Sequence, residues 1–159
     1  MPDPIATDLH IALVEPDIPW NAGNVGRSCL ALGARLHLVR PLGFSIDERR
    51  VRRAGLDYWR HVDLEVWPSW TAFGGSMEGL GAPWLFSAEA ERSLWDLDLT
   101  PPTVLIFGRE STGLRKDIRE RHRERLVRIP MDPGPVRSLN VSTAAAVALA
   151  EAKRQRTRT

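Results

Sequence analysis

Thr103-Val104-Leu105-Ile106-Phe107-Gly108-Arg109-Glu110-Ser111-Thr112-Gly113-Leu114 is the stretch that decides the fold. Its first half, Val104-Leu105-Ile106-Phe107, is apolar on both faces, as a strand buried in the middle of a parallel sheet must be. Its second half reads G-x-x-x-x-G from Gly108 to Gly113, the spacing of a phosphate-binding loop. Leu114 and Arg115 stand where that motif requires Lys and Ser or Thr, which argues against nucleoside triphosphate hydrolysis. Working outward, short β-type runs at His10–Val14, Leu36–Val39, Trp84–Phe86 and Leu126–Ile129 alternate with candidate helices. These helices cover Ala22–Leu32, Asp47–Ala54, Trp70–Glu78, Leu114–Arg121 and Leu139–Arg154. The rhythm is that of an α/β fold with a largely parallel sheet flanked by helices.

With 159 residues, 43% of them hydrophobic, the chain fits one domain over 1–159 with a sizeable core, and its last few residues are expected to fray. The formal charge is +2, and Lys116 and Lys153 are the only lysines, so the cations are almost all arginine. They crowd between Arg109 and Arg128, interleaved with Glu110, Asp117, Glu120 and Glu124, a pattern that also fits a solvated helix face. Cys29 is the single cysteine, and His10, His37, His61 and His122 are scattered. No spacing in the sequence suits a metal, so none is expected. Neither a leader-like start nor a membrane-spanning run is visible, and the expected location is the cytoplasm, away from any membrane.

Three loops stand where ligands of open α/β sheets bind, beyond the carboxyl ends of strands. One holds Asn21-Ala22-Gly23-Asn24-Val25-Gly26-Arg27, which lacks the glycine spacing of a dinucleotide fingerprint. The second is Gly108–Gly113. The third runs from Ile129-Pro130-Met131 to Ser138-Leu139-Asn140-Val141-Ser142, where Ser138 can cap a helix rich in alanine. Those alanines fit either close backbone approach or plain helix propensity.

In order and spacing, these three segments resemble the motifs of the SPOUT class of S-adenosylmethionine-dependent RNA methyltransferases. Leu13-Val14-Glu15-Pro16, Pro41-Leu42-Gly43-Phe44 and Arg52-Arg53-Ala54-Gly55-Leu56-Asp57-Tyr58 are further similar to the TrmL group within it, which acts on the tRNA wobble nucleotide. The resemblance spans nearly the whole chain. It implies a deep C-terminal trefoil knot, which periodicity alone would never predict because knots are rare. It also implies a homodimer, the cofactor S-adenosylmethionine, and the anticodon stem-loop of a tRNA as substrate. The expected reaction is methyl transfer to the ribose 2′-OH of the wobble cytidine or uridine. A different tRNA or rRNA ribose, or a catalytically silent binding protein, are the competing readings.

By the same resemblance, Ala88, Gly108, Ile129, Ser138 and Leu139 would hold the cofactor. Arg27, Glu110, Ser138 and Asn140 would serve catalysis. An arginine guanidinium stays protonated, so the role expected of Arg27 is electrostatic, holding a phosphate and favouring a developing alkoxide. A plain surface arginine at Arg27, a helix-start role for Glu110 and a loop anchor at Asn140 are the structural alternatives. RNA contacts are expected from Arg27, Arg50, Arg53 and Arg115, with Tyr58 and Trp59 as stacking surfaces or core residues. The chain departs from the group at Ala88, in the acidic Glu89-Ala90-Glu91, and at Ala150, where the group usually has a tyrosine.

Overall fold

Leu9–Val14 (β1) and Thr103–Phe107 (β5) lie side by side in the middle of the sheet, and both are buried along their whole length. The computed structural model describes residues 7–47 and 57–157. Around this pair the sheet adds Arg35–Val39 (β2), Leu64–Trp67 (β3), Ala82–Phe86 (β4) and Leu126–Val127 (β6), in the order β3-β2-β1-β5-β4-β6. Every pairing is parallel. From β1 the chain builds outward through β2 to β3, then crosses back to fill the other half. The direction therefore reverses between β1 and β5, which is where such sheets open a ligand crevice.

The register carries that crevice into particular residues. Leu13 is opposite Phe107, Leu85 is opposite Ile106, and Phe86 is opposite Val127. The loops that follow β1, β5, β4 and β6 thus emerge together on one rim.

Helices Pro19–Leu32 (α1), Trp70–Leu80 (α2), Lys116–Arg121 (α3) and Val141–Arg156 (α4) cover the sheet. The α1 helix buries Ala22, Val25, Gly26 and Cys29, a three-and-four spacing that places one face inward, and Pro19 suits its first turn because proline has no N–H to lose there. The α4 helix buries Ala145, Ala148, Leu149 and Ala152 on one stripe and packs on α1. Its far end is anchored by Gln155, which accepts from Leu99 N–H at 2.7 Å and donates to the Leu97 carbonyl at 3.0 Å. Phe73 and Met77 of α2 pack with Ala12, Val104 and Ile106 on the opposite face, so each side of the sheet has its own apolar layer.

Several sequence expectations shift. Ser138 does not cap the last helix. The cap is Asn140, whose Oδ1 accepts from Ser142 N–H at 2.8 Å and Thr143 N–H at 3.4 Å, so α4 starts at Val141 rather than Leu139. Asparagine is as good a cap as serine, and only Asn140 sits next to the unpaired N–H groups. The β3 strand went unforeseen because Leu64 to Trp67 is short and only half-buried. The α2 helix persists through its glycines, capped by Ser69, which accepts from Ala72 N–H at 3.1 Å. The α3 helix begins at Lys116 rather than Leu114, and β6 ends at Val127 rather than Ile129. Asp47 lies outside any helix, and the rest of the helix expected at Asp47–Ala54 lies outside the described residues.

One buried polar chain crosses the sheet. Trp67 Nε1 donates to His37 Nδ1 at 3.0 Å, so His37 carries its proton on Nε2 and donates it to His10 Nδ1 at 2.9 Å. With Nδ1 engaged as an acceptor, the approach of Glu65 at 3.9 Å is not an ion pair. Burial, with the neighbouring His10 second, holds His37 down at about 3, and burial likewise lowers His10. Below the ordinary value of 6.5 the unfolded chain takes up protons that the folded chain refuses, so stability falls as pH drops from 6.5 toward 3. His37 alone should contribute on the order of 2 kcal/mol of loss by pH 5. Urea unfolding at pH 7.5 and pH 5 should show this loss shrinking in His37→Gln, which keeps an acceptor and a donor but does not titrate. An equal loss in both proteins would contradict the assignment.

Candidate active site

The loops that leave the rim enclose a pocket of 610 Å³, within the range of small-molecule sites. Phe86 and Phe107, the last residues of β4 and β5, line it, stacked with ring centroids 4.4 Å apart and planes 15° from parallel. Adjacent parallel strands bring these two rings together because both side chains leave the same face of the sheet. Around them stand Ala88, Gly108, Ile129, Ser138 and Leu139, so the structure gathers all five expected cofactor residues on one cavity. Glu110 and Asn140 line it as well.

Gly108 determines the shape of that wall. Arg109 and Gly113 exchange two backbone hydrogen bonds, of 3.2 and 2.7 Å, folding the loop back on itself. A Cβ on Gly108 would lie 2.1 Å from Leu114 N and 2.2 Å from the Gly113 carbonyl carbon. Only a residue without a side chain allows this approach.

Glu110 joins this loop to α1. Its carboxylate accepts from Asp17 N–H at 2.7 Å and from Ile18 N–H at 3.1 Å, and it lies 3.4 Å from Asn21 Nδ2. A carboxylate at the start of a helix satisfies N–H groups that lack a partner and complements the helix dipole. Asn21, buried, extends the link, because its Oδ1 accepts from Asn140 Nδ2 at 3.0 Å. A continuous hydrogen-bonded line therefore runs from the Gly108–Gly113 loop through α1 to the cap of α4, and it ties the three sequence motifs together. Asn140 uses both ends of its amide in this, Oδ1 on its own helix and Nδ2 on Asn21. Asn140→Ala is expected to cost about 1–2 kcal/mol of stability through the cap alone and to weaken cofactor binding. Urea unfolding and titration calorimetry test both, and an unchanged unfolding midpoint would contradict the anchoring role.

Arg27 stands apart from the pocket lining, on an exposed face two turns along α1 from Asn21. Its guanidinium carbon is 5.7 Å from the centroid of the Tyr58 ring, within cation–π range. Tyr58 in turn donates its hydroxyl to the Gly23 carbonyl at 3.0 Å, and the buried Trp59 fills the space over Gly26. Both aromatics thus brace α1 rather than offer a free stacking face. Burial raises the Tyr58 hydroxyl, against the opposing pull of Arg27.

Arg115 reaches Glu15, 3.1 Å away, and Arg109 reaches the same carboxylate at 3.4 Å. Glu15 is held at a φ of +55°, a left-handed conformation that costs energy for a non-glycine residue and places its side chain between the two cations. Glu89, in the acidic segment, pairs with Arg119. Arg50 and Arg53 lie outside the described residues. The sequence offers Arg119, with Arg115, as an extension of the RNA contacts but does not assign Arg109, Arg128 or Arg137 to the site, and Arg109, Arg119, Arg128 and Arg137 all line the pocket. Burial pushes the Cys29 thiol up to about 12, so it takes no part in the chemistry.

The model of the SpoU rRNA Methylase family matches residues 8–150. This chain belongs to the SpoU methylase family. Other SpoU-type proteins agree with it over most of their length. The tRNA (cytidine(34)-2'-O)-methyltransferase of Polaromonas sp. strain JS666 is 43% identical over 149 residues, spanning 92% of this chain and 90% of its own. That of Burkholderia ambifaria is 42% identical over 149 residues, spanning 92% and 95%. A solved structure from work on 2-OH methylation of C/U34 on tRNA superposes with a TM-score of 0.86 at 46% identity, covering 95% of this chain and 97% of that one. The SpoU methyltransferase AviRb of Streptomyces viridochromogenes, solved with AdoMet, gives 0.78 at 28% identity, over 95% of this chain and 61% of its own. Among the described residues no helix is long and apolar enough to cross a membrane.

Proposed function

We propose that this protein is a tRNA 2′-O-methyltransferase that methylates the ribose of the wobble cytidine or uridine, with S-adenosylmethionine as donor. The observation that carries this is the gathering of Ala88, Gly108, Ile129, Ser138 and Leu139 on one cavity, in a chain 43% identical to a relative named for that reaction. The cavity suits the cofactor. Gly108 lets the 108–113 loop close tightly on itself and so form one wall of the cavity, and Phe86 and Phe107 supply apolar surface against which a planar base can rest. When bound, S-adenosylmethionine supplies a methyl group on a sulfonium, which needs no metal to be electrophilic.

The protein's tasks are then to seat the donor, hold the ribose, and favour loss of the hydroxyl proton. Ser138 and Leu139 seat the donor from the loop before α4. Glu110 acts as a positioning residue, because its oxygens are engaged at the start of α1, and Asn140 acts likewise through Asn21. Arg27 holds a substrate phosphate and stabilises the developing alkoxide, while a phosphate or water takes the proton. Arg115 contributes to the RNA-facing charge alongside its ion pair with Glu15, and Arg50 and Arg53 are assigned to RNA as well. The segment that leaves β6 and returns through Ser138 to pack α4 on α1 is the knotted part of the chain. The working unit is a homodimer in the cytoplasm, and exposed Trp20, Leu30 and Val136 offer apolar surface for the second copy.

Labelled methyl transfer from S-adenosylmethionine to bulk unmodified tRNA tests the reading. Incorporation is expected. Cofactor binding by calorimetry without any transfer would replace the enzyme by a silent binding protein.

A further inference from the structure

Four arginines line the pocket, and their surroundings divide them into two pairs. Arg109 is compensated by Glu15 at 3.4 Å and Asp17 at 3.7 Å, and Arg119 by Glu89. Arg128 and Arg137 have no carboxylate partner among the described residues, although Asp132 lies in the loop between them. Of the two carboxylates on the pocket wall, Glu89 is paired with Arg119, and Glu110 is engaged with backbone N–H groups. Among the described residues the rim therefore carries two positive charges without an acidic partner.

Arg128 is fixed at its backbone, and Arg137 sits close to an anchored one. Arg128 donates its N–H to the Arg92 carbonyl at 2.9 Å and accepts from Leu94 N–H at 2.8 Å. Arg137 lies three residues before the Asn140 cap, itself bound to Asn21. Between them Pro130, Pro133 and Pro135 each fix φ, so the loop has little freedom to collapse onto an internal acid. Both side chains are exposed while lining the pocket, an arrangement that meets an anion arriving from solvent rather than one sealed within.

We propose that Arg128 and Arg137 form a phosphate clamp at the mouth of the pocket, binding the RNA backbone beside the nucleotide whose ribose is methylated. This rests on the methyltransferase reading above. A planar guanidinium takes a phosphodiester through two parallel hydrogen bonds, and each phosphate neutralised in this way releases counterions, so the clamp leaves a salt signature. The cofactor's own carboxylate has the same anionic chemistry, and the two sources separate experimentally.

The variants are Arg128→Gln, Arg137→Gln and the pair, with Arg137→Lys as a charge-retaining substitution. Lys116→Gln, on an ammonium already 3.7 Å from Glu120, controls for net charge. Binding of an unmodified tRNA transcript is measured by fluorescence anisotropy from 50 to 300 mM salt, together with S-adenosylhomocysteine affinity by calorimetry and the kinetics of methyl transfer. The double variant should bind tRNA about tenfold more weakly, with the slope of log K against log salt shallower by about 1 for each phosphate left without its arginine. It should raise KM for tRNA and leave S-adenosylhomocysteine affinity unchanged, while Arg137→Lys should recover most of the binding. Arg137 lies in an exposed loop, so its single variant reads the clamp even where Arg128→Gln impairs folding. Unchanged tRNA affinity and salt slope would overturn the clamp, and a loss confined to S-adenosylhomocysteine would assign the arginines to the cofactor. If the unsubstituted protein binds tRNA yet transfers no methyl, the enzymatic reading fails while the binding series still decides the clamp.

Discussion

Arg27→Ala is expected to lower kcat for methyl transfer by about 10²–10³-fold while changing cofactor affinity by less than about twofold, the magnitude typical of removing one preorganised electrostatic group. The separation of the two effects follows from position. Arg27 is not part of the pocket wall, and its guanidinium rests over Tyr58 on the exposed face of α1. Removing it deletes the charge that the proposed mechanism sets against the substrate, without disturbing the line Glu110–Asn21–Asn140 that shapes the cavity. Single-turnover kinetics and calorimetry measure the two quantities independently. A large loss of cofactor affinity would show instead that Arg27 holds the pocket together. Arg27→Lys should recover only part of the rate, since a lysine keeps the charge but not the planar fork.

Gly108→Ala should be the most damaging substitution for the fold of the site. The added methyl would meet backbone atoms of Leu114 and Gly113 at 2.1 and 2.2 Å, and backbone closed by two hydrogen bonds cannot move aside as a flexible side chain would. A destabilisation of about 3 kcal/mol or more is expected, with a loss of cofactor binding of at least about tenfold as the loop opens. Gly75→Ala provides the contrast. Gly75 lies within α2 with nothing within 4 Å of the would-be methyl, so alanine there should stabilise by about 0.5–1 kcal/mol. Urea midpoints for the two variants should move in opposite directions. A Gly108→Ala protein with normal stability and cofactor affinity would contradict the close approach.

The central strand, the alternation of strands and helices, and the meeting of three loops around one cavity were legible in the sequence, for a common reason. Val104 to Phe107 advertises its burial through composition, and Gly108 advertises a backbone approach through its lack of a side chain. Such signals are local. The role of Glu110 was not local, since its partners are the N–H groups of Asp17 and Ile18, more than ninety residues earlier in the chain. Ser138 and Asn140 are both good capping residues, and only the path of the loop decides that Asn140 reaches the first turn of α4. The unforeseen arginines make the same point about charge. Arg115, expected from the sequence to contact RNA, is paired with Glu15, whereas Arg128 and Arg137, given no role there, have no acidic partner among the described residues. Pairing is a property of the folded neighbourhood, which residue type and spacing do not report.

The most direct measurement is the position of the new methyl group. An unmodified tRNA transcript bearing cytidine or uridine at the wobble position is incubated with the protein and S-adenosylmethionine, digested, and mapped by mass spectrometry. One methyl group on the ribose of the wobble nucleotide is predicted, absent in the Arg27→Ala reaction. A methyl on a base, or on the ribose of any other nucleotide, would contradict the account.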